Sequence, residues 1–422
     1  MDAESDVRDN VDHLFRHKAG QMVSVLARRF GVEHIDLIED AVQDAMIAAM
    51  RKWPVTGVPE NPSAWLTQVA KNRVIDRLRH YGKWSGESTD DEGFIEPAAP
   101  TPDRDGPQFE GELTEDQLRM IFACCSPEIP SDSQVALTLK VVSGFGVREI
   151  SRAYLAKDEA TAKMLTRAKR KLRTTSLEIP VGSELRGRLD AVLRVLYLMF
   201  NEGYAASEGD VLIRRDLCFE AMRLTEMVAS HESTSLPKVH AIAALFYFQA
   251  ARLATRTDVQ GDLLLLSEQD RSKWDKRMIS RGLDHFRRAA AGDEFTDYHL
   301  EAEIASIHAM APDFDSTDWG RIIRCYDELQ SRNFSPVVEL NRIIAVGHVH
   351  GPEKALSELR DLGGHYMMTS FNLFHITMAH FLNETGEHDA AVAAYERAVE
   401  LTANDPIRRF LRRKIEMLTS SG

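Results

Sequence analysis

The residues from Glu159 to Arg173 read EATAKMLTRAKRKLR. On a helical wheel of about 100° per residue, Thr161, Leu165, Ala168 and Leu172 fall in a narrow apolar seam. Lys163, Arg167, Lys169, Arg170, Lys171 and Arg173 cover the rest. Cations at this density neutralise phosphates, and an arginine fork can read the edge of a guanine. Upstream, Val147 to Leu155 predicts a short helix whose Val147, Ile150 and Tyr154 can share a core. Ala156-Lys157-Asp158 supplies a tight turn with Asp158 placed as the N-cap. Short helix, tight turn and basic second helix make a helix-turn-helix, whose second helix enters the major groove. Lys163, Thr166, Arg167 and Arg170 face away from the seam and are the candidates for base edges. Lys169 and Lys171 complete the basic surface.

A second candidate surface lies in NPSAWLTQVAKNRVIDRLRH, residues 61–80. Pro62 and Ser63 open a helix with no further Gly or Pro. Leu66, Ala70, Val74 and Leu78 form its apolar stripe. Trp65, Gln68, Asn72, Asp76 and Arg79 occupy the opposite side. A tryptophan among amides and arginines suits a base that stacks and a phosphate that needs neutralising, and it equally suits packing under a neighbouring helix.

These elements must be positioned by a larger scaffold. A chain of 422 residues is long enough for two or more domains. Helix formers dominate and β-branched alternation is scarce, so an all-α fold is expected. No apolar run approaches a membrane span, and MDAESDVRDN lacks a basic segment followed by an apolar one. A soluble, cytoplasmic protein without membrane contact is therefore expected. The four cysteines include no C-x-x-C pair and read as small buried thiols. The net charge of −13 is unevenly spread: 0 over residues 1–84, −10 over 85–116, +6 over 117–175 and −9 over 176–422. A basic module is hidden in an acidic chain.

Residues 1–173 closely resemble the sigma-70 family. Asp36 to Met46, DLIEDAVQDAM, resembles the ED-x-x-Q-[DE] helix that docks on the β′ clamp helices of core RNA polymerase. The resemblance assigns that contact to Glu39, Asp40, Gln43 and Asp44. Residues 61–80 resemble the regions that melt and read the −10 element, which assigns Asn61, Trp65, Asn72, Arg73, Asp76 and Arg77 to promoter DNA. The helix-turn-helix resembles the −35 reader, which also meets the polymerase β flap. The spacing, with regions 1.1 and 3 absent, is similar to that of extracytoplasmic-function (ECF) sigma factors. The rest resembles an ECF subgroup with a tetratricopeptide-like extension, through LYLMFNEGY (196–204), QDRSKWD (269–275) and SPVVELNR (335–342). The chain departs from the family at Met164, where Arg is frequent, and at Thr161, where Val is frequent.

The expected organisation is a −10 and clamp domain at 8–84, an acidic flexible linker at 85–116, the helix-turn-helix domain at 117–176 and the helical extension at 177–422. The loop Trp53–Asn61, with Pro54, Gly57 and Pro59, is expected to be non-helical. Two segments, GPEKA at 351 and GEHDA at 386, are offset by 35 residues, close to a tetratricopeptide period. Such an array presents a concave surface for a protein or peptide ligand, or for another part of the same chain. No phosphate-binding glycine loop, zinc spacing or nucleophile arrangement occurs, so no catalytic residue, metal or cofactor is expected. His375 and His380 read as core histidines. Two other functions fit parts of the pattern: a stand-alone helix-turn-helix regulator with sensing repeats, and a tetratricopeptide scaffold. The stand-alone regulator needs neither the acidic helix nor the Trp65 surface.

Overall fold

The computed structural model describes residues 18–84, 109–154 and 157–420, with side chains left out at 81–84, 109–113 and 152–154. The chain divides into two units, residues 1–195 and 196–422, and each is treated by itself. About three-quarters of it is helical, and among the described residues the one sheet is a pair of two-residue strands. The all-α expectation holds.

In the first unit, α1 spans residues 18–30, α2 Ile35–Thr56, α3 Pro62–Trp84, α4 Phe109–Cys124, α5 Ser131–Val141, α6 Val147–Tyr154 and α7 Asp158–Leu172. Their amphipathic spacing decides what is buried. α2 buries Ile38, Ala41, Val42 and Ala45, and α3 packs on it through Leu66, Ala70 and Val74. α4 and α5 supply an almost wholly buried centre that includes Met120, Phe122, Leu137 and Leu139. α1 joins this centre at Gly20. A Cβ there would lie 1.9 Å from the Val142 carbonyl oxygen, so only glycine lets the two backbones approach this closely.

Three local expectations are corrected. α2 continues through Pro54 to Thr56. Proline forfeits one ladder hydrogen bond, but so near the end the last turn still closes: Gly57, at φ 81°, donates to the Trp53 carbonyl at 2.9 Å. Asp158 is the first helical residue of α7 and its side chain caps nothing; Lys157 holds the N-cap position. α4 begins at Phe109, inside the span expected to be linker; residues 85–108 lie outside those described.

The boundary between the units falls inside α8, Gly182–Tyr204. The second unit continues with β1 (Glu208–Gly209), α9 (Arg215–Ser230), α10 (Pro237–Ala250), α11 (Lys276–Ala289), α12 (Asp297–Met310), α13 (Trp319–Arg332), α14 (Pro336–His350), α15 (Pro352–Leu362), α16 (Asn372–Glu384), α17 (His388–Leu401), β2 (Ala403–Asn404) and α18 (Asp405–Ser420). α10 is buried on nearly every side, which explains its continuous apolar sequence. Gly351 and Gly386 both take positive φ, 89° and 82°, in the turns ahead of α15 and α17. β1 and β2 pair in parallel, Glu208 with Ala403 and Gly209 with Asn404. The side chain of Asn404 donates to the carbonyls of Ala206 and Val211. His375 and His380 are corrected: both are partly buried on α16 rather than in the core, His375 Nε2 lying 3.2 Å from the Thr369 carbonyl and His380 Nε2 3.6 Å from Glu384. All four cysteines are free and buried.

Candidate functional site

The buried set of α7 is Thr161, Leu165, Ala168 and Leu172, the seam expected from its spacing. Lys163, Thr166, Arg167, Arg170 and Lys171 are exposed. Lys163 is held by Glu159 one turn back at 2.6 Å, and Lys171 Nζ donates to the Glu128 carbonyl at 2.5 Å. Arg167 and Arg170 reach solvent on the face opposite the seam, with no shared partner between them.

Lys169 behaves differently. Its side chain is only 14% exposed, and its ammonium meets Glu39 and, at 3.1 Å, Asp36 of α2. Arg173, just past α7, pairs with the same Asp36, and Lys140 of α5 reaches Glu39 at 3.7 Å. Burial pushes the Asp36 carboxyl up, but Lys169 and Arg173 outweigh it and hold it below the usual carboxylate range. Burial likewise opposes the Lys169 charge, yet Glu39 and Asp36 raise its pKa above the ordinary lysine value. A further pair, Arg28 of α1 with the buried Asp116 of α4 at 2.6 Å, joins the same halves. The helix expected to meet polymerase and the helix expected to meet the −35 element thus lock onto one another.

The other candidates on α2 and α3 divide. Asp40 and Gln43 are exposed. Arg77 of α3 spans to Asp44 at 2.7 Å and Asp40 at 3.7 Å, so it ties α3 to α2. Asn72, Arg73 and Asp76 are exposed on one face, and Asn72 accepts from Gln68 at 2.9 Å. Trp65 is half-buried against Trp53, with ring centroids 5.6 Å apart, and Lys52 lies over it. The Asn61 carboxamide accepts the Ala64 N–H at 3.0 Å and so caps the start of α3. An open groove of about 710 Å³ runs between these helices, lined by His34, Asp36, Asp40, Arg77, His80 and Arg173 among others. Sequence reasoning missed Asp36, Lys140 and Arg173 as a joint feature. Nothing in the spacing of residues 36 and 173 announces that they meet.

The sigma-70 region 2 family matches residues 14–83, which hold α2 and α3, and this match supports a sigma-70 family factor. The same match supports a role in transcription initiation and implies core RNA polymerase and promoter DNA as partners. Residues 188–290 match a family of unknown function, DUF6596. The chain is also 33% identical over 409 residues to the uncharacterized protein R00370 of Rhizobium meliloti (strain 1021), covering 95% of this chain and 94% of that one. It belongs to the same family as that protein. No solved structure matches. No helix among the described residues is long and apolar enough to cross a membrane.

Proposed function

We propose that the chain is an ECF-type sigma factor regulated by its own C-terminal helical unit. α2 docks on the β′ clamp helices of core RNA polymerase through Asp40, Gln43, Asp44 and Glu39. The exposed face of α3, with Asn72, Arg73 and Asp76, engages the −10 element, with Trp65 and Asn61 shaping the corner beside it. α6 and α7 form the helix-turn-helix, and Lys163, Thr166, Arg167 and Arg170 read the −35 element. The observation that carries this reading is the exposed polar face of α7 opposite a fully buried seam, in one unit with a sigma-70 region 2 fold. The ion pairs of Lys169 and Arg173 with Asp36 and Glu39 represent a closed resting form, in which each nucleic-acid or polymerase surface is partly covered by the other. The second unit, with its tetratricopeptide-like turns, takes the place of a separate regulator and binds a protein or peptide. Stoichiometric pull-down with core polymerase, followed by transcription from a selected promoter, tests the assignment. Promoter binding without core polymerase would instead identify a stand-alone regulator.

A further inference from the structure

The segment QDRSKW, residues 269–274, and the end of LYLMFNEGY, residues 196–204, meet in the second unit at a place the transcription reading does not use. Arg256, only 7% exposed, lays its guanidinium 3.7 Å from the centroid of the Tyr204 ring. Arg252 lies 5.9 Å from the same ring and 5.8 Å from that of Trp274. Arg271 lies 5.1 Å from Trp274. Three cations and two rings therefore alternate, with Arg252 in the middle.

Among the described residues, no carboxylate lies within ion-pair distance of any of the three. Arg256 donates to the Tyr204 carbonyl, and Arg271 donates to the carbonyls of His308 and Ala311 and to the Thr317 hydroxyl. Among the described residues, the Nε atoms of Arg252, Arg256 and Arg271 are all buried without an acceptor. So are the Trp274 Nε1 and the Tyr204 hydroxyl. Asp313 acts on Arg271 only from beyond ion-pair distance. Asp262 takes Arg409 at 2.6 Å and Arg413 at 2.8 Å, and Asp313 Oδ1 accepts from the Ser316 hydroxyl and N–H. His308, beside this group, is held neutral: burial, then Arg252 and Arg271, push its pKa down to about 3.

Ring faces attract guanidinium groups but leave their N–H edges unused. Buried like charges without a counterion are costly, and planar N–H forks match an oxyanion. We propose that Arg252, Arg256 and Arg271, with Trp274 Nε1, form a binding site for a small, multiply charged oxyanion of the phosphate or dicarboxylate class. The site lies within the second unit and does not depend on the sigma-factor reading. Its occupant completes the charge balance and fixes the loop from residue 252 to 274 against α8 and α12.

The test uses the full-length protein. Thermal unfolding and isothermal titration are followed with inorganic phosphate, with malonate and with potassium chloride at matched ionic strength. The expected result is a saturable rise in Tm of several degrees with phosphate, one site per chain, and an affinity loss of about tenfold or more in Arg252→Gln and Arg271→Gln. Saturation by malonate alone also supports the site and makes the ligand a dicarboxylate. No saturable response to either anion beyond that to chloride overturns it, and so does an unchanged response in both variants. Should the variants not fold, arginine labelling of the wild-type protein with phenylglyoxal decides. Protection of Arg252 and Arg271 by phosphate or malonate supports the site, and equal labelling with and without them overturns it.

Discussion

Removing the cations that cover α2 should make the protein bind core polymerase more tightly. The perturbation is Lys169→Ala with Arg173→Ala. The Arg173–Asp36 pair is nearly half-exposed on both sides, so it contributes only about 0.2–1 kcal/mol. The Lys169 and Glu39 side chains are 14% and 13% exposed. Truncating one partner of a fully buried pair costs roughly 3–5 kcal/mol, because the other charge is left alone. Lys140 at 3.7 Å still attends Glu39, which lowers that figure to about 2 kcal/mol. The closed arrangement should thus lose about 2–3 kcal/mol, or roughly 30- to 150-fold in its equilibrium with an open form. If closure masks α2, apparent affinity for core rises by up to that factor. The assay is fluorescence anisotropy of labelled protein titrated with core polymerase, without promoter DNA, so that lost DNA contacts by α7 are not read. Asp36→Asn, which spares every residue proposed to touch polymerase, should act in the same direction. Unchanged or weaker core binding in both variants would refute the closed resting form. The contact should be insensitive to pH near neutrality. Asp36 has a depressed pKa, so its contribution is present above the unfolded value of 3.8 and fades only below it.

Other expectations follow from separate parts of the molecule. Arg167→Ala or Arg170→Ala should weaken binding of holoenzyme to its promoter by about 1–3 kcal/mol for a bidentate base contact, whereas a phosphate contact would weaken all sequences alike and reduce the salt slope by about 1; wild-type affinity in both would exclude α7 as the reader. Gly20→Ala should raise local helix propensity yet loosen α1 from Val142, because the clash is with backbone that cannot rotate away; faster amide exchange in α1 and α5 would report it. In the second unit, burial, then His285 and Arg288, push the His240 pKa down to about 4, and that of His308 falls to about 3. Both are neutral when folded, so their stabilising contribution is present above the unfolded value of 6.5 and lost as pH falls toward 4 and below. Urea midpoints should drop across that window, and His240→Gln should flatten the drop. Deleting residues 180–422 should change transcript yield from the cognate promoter; equal affinity and yield would leave the second unit without a regulatory role.

Periodicity exposed the parts of the fold that local chemistry decides. The α7 seam and the Leu66, Ala70, Val74 stripe emerge from a 3.6-residue repeat because one face of each helix has a single neighbour to pack on. Pro54 misled because proline's cost depends on its distance from the helix end, which composition does not encode. His375 and His380 misled because the apolar residues around them belong to the other face of α16. Acid that meets the helix-turn-helix comes from α2, 133 residues away in sequence from Lys169 to Asp36. Pairings of this length follow from packing of whole helices, and no spacing rule reports them. The arginine and aromatic ladder was visible only as separate marks at 204 and 269–274, since the cations that complete it lie in the loop after α10.

The pairing of β1 with β2 gives the second unit a property that an open array of helix pairs lacks. In a stacked array each unit touches only its neighbours, so folding can start anywhere and ends can fray or be extended. Here the loop after α8 is stitched to the turn before α18 by two ladder residues and by Asn404 with its two carbonyls, and the loop after α10 is tied to α18 by Asp262 holding Arg409 and Arg413. Head and tail are one seam. No helix pair between β1 and β2 can be inserted or dropped without straining it, and loss of α18 would release the loop around Asp262 as well. The unit should therefore melt in one cooperative step. It should also tolerate new termini cut at an exposed turn such as Gly386 better than truncation at residue 404.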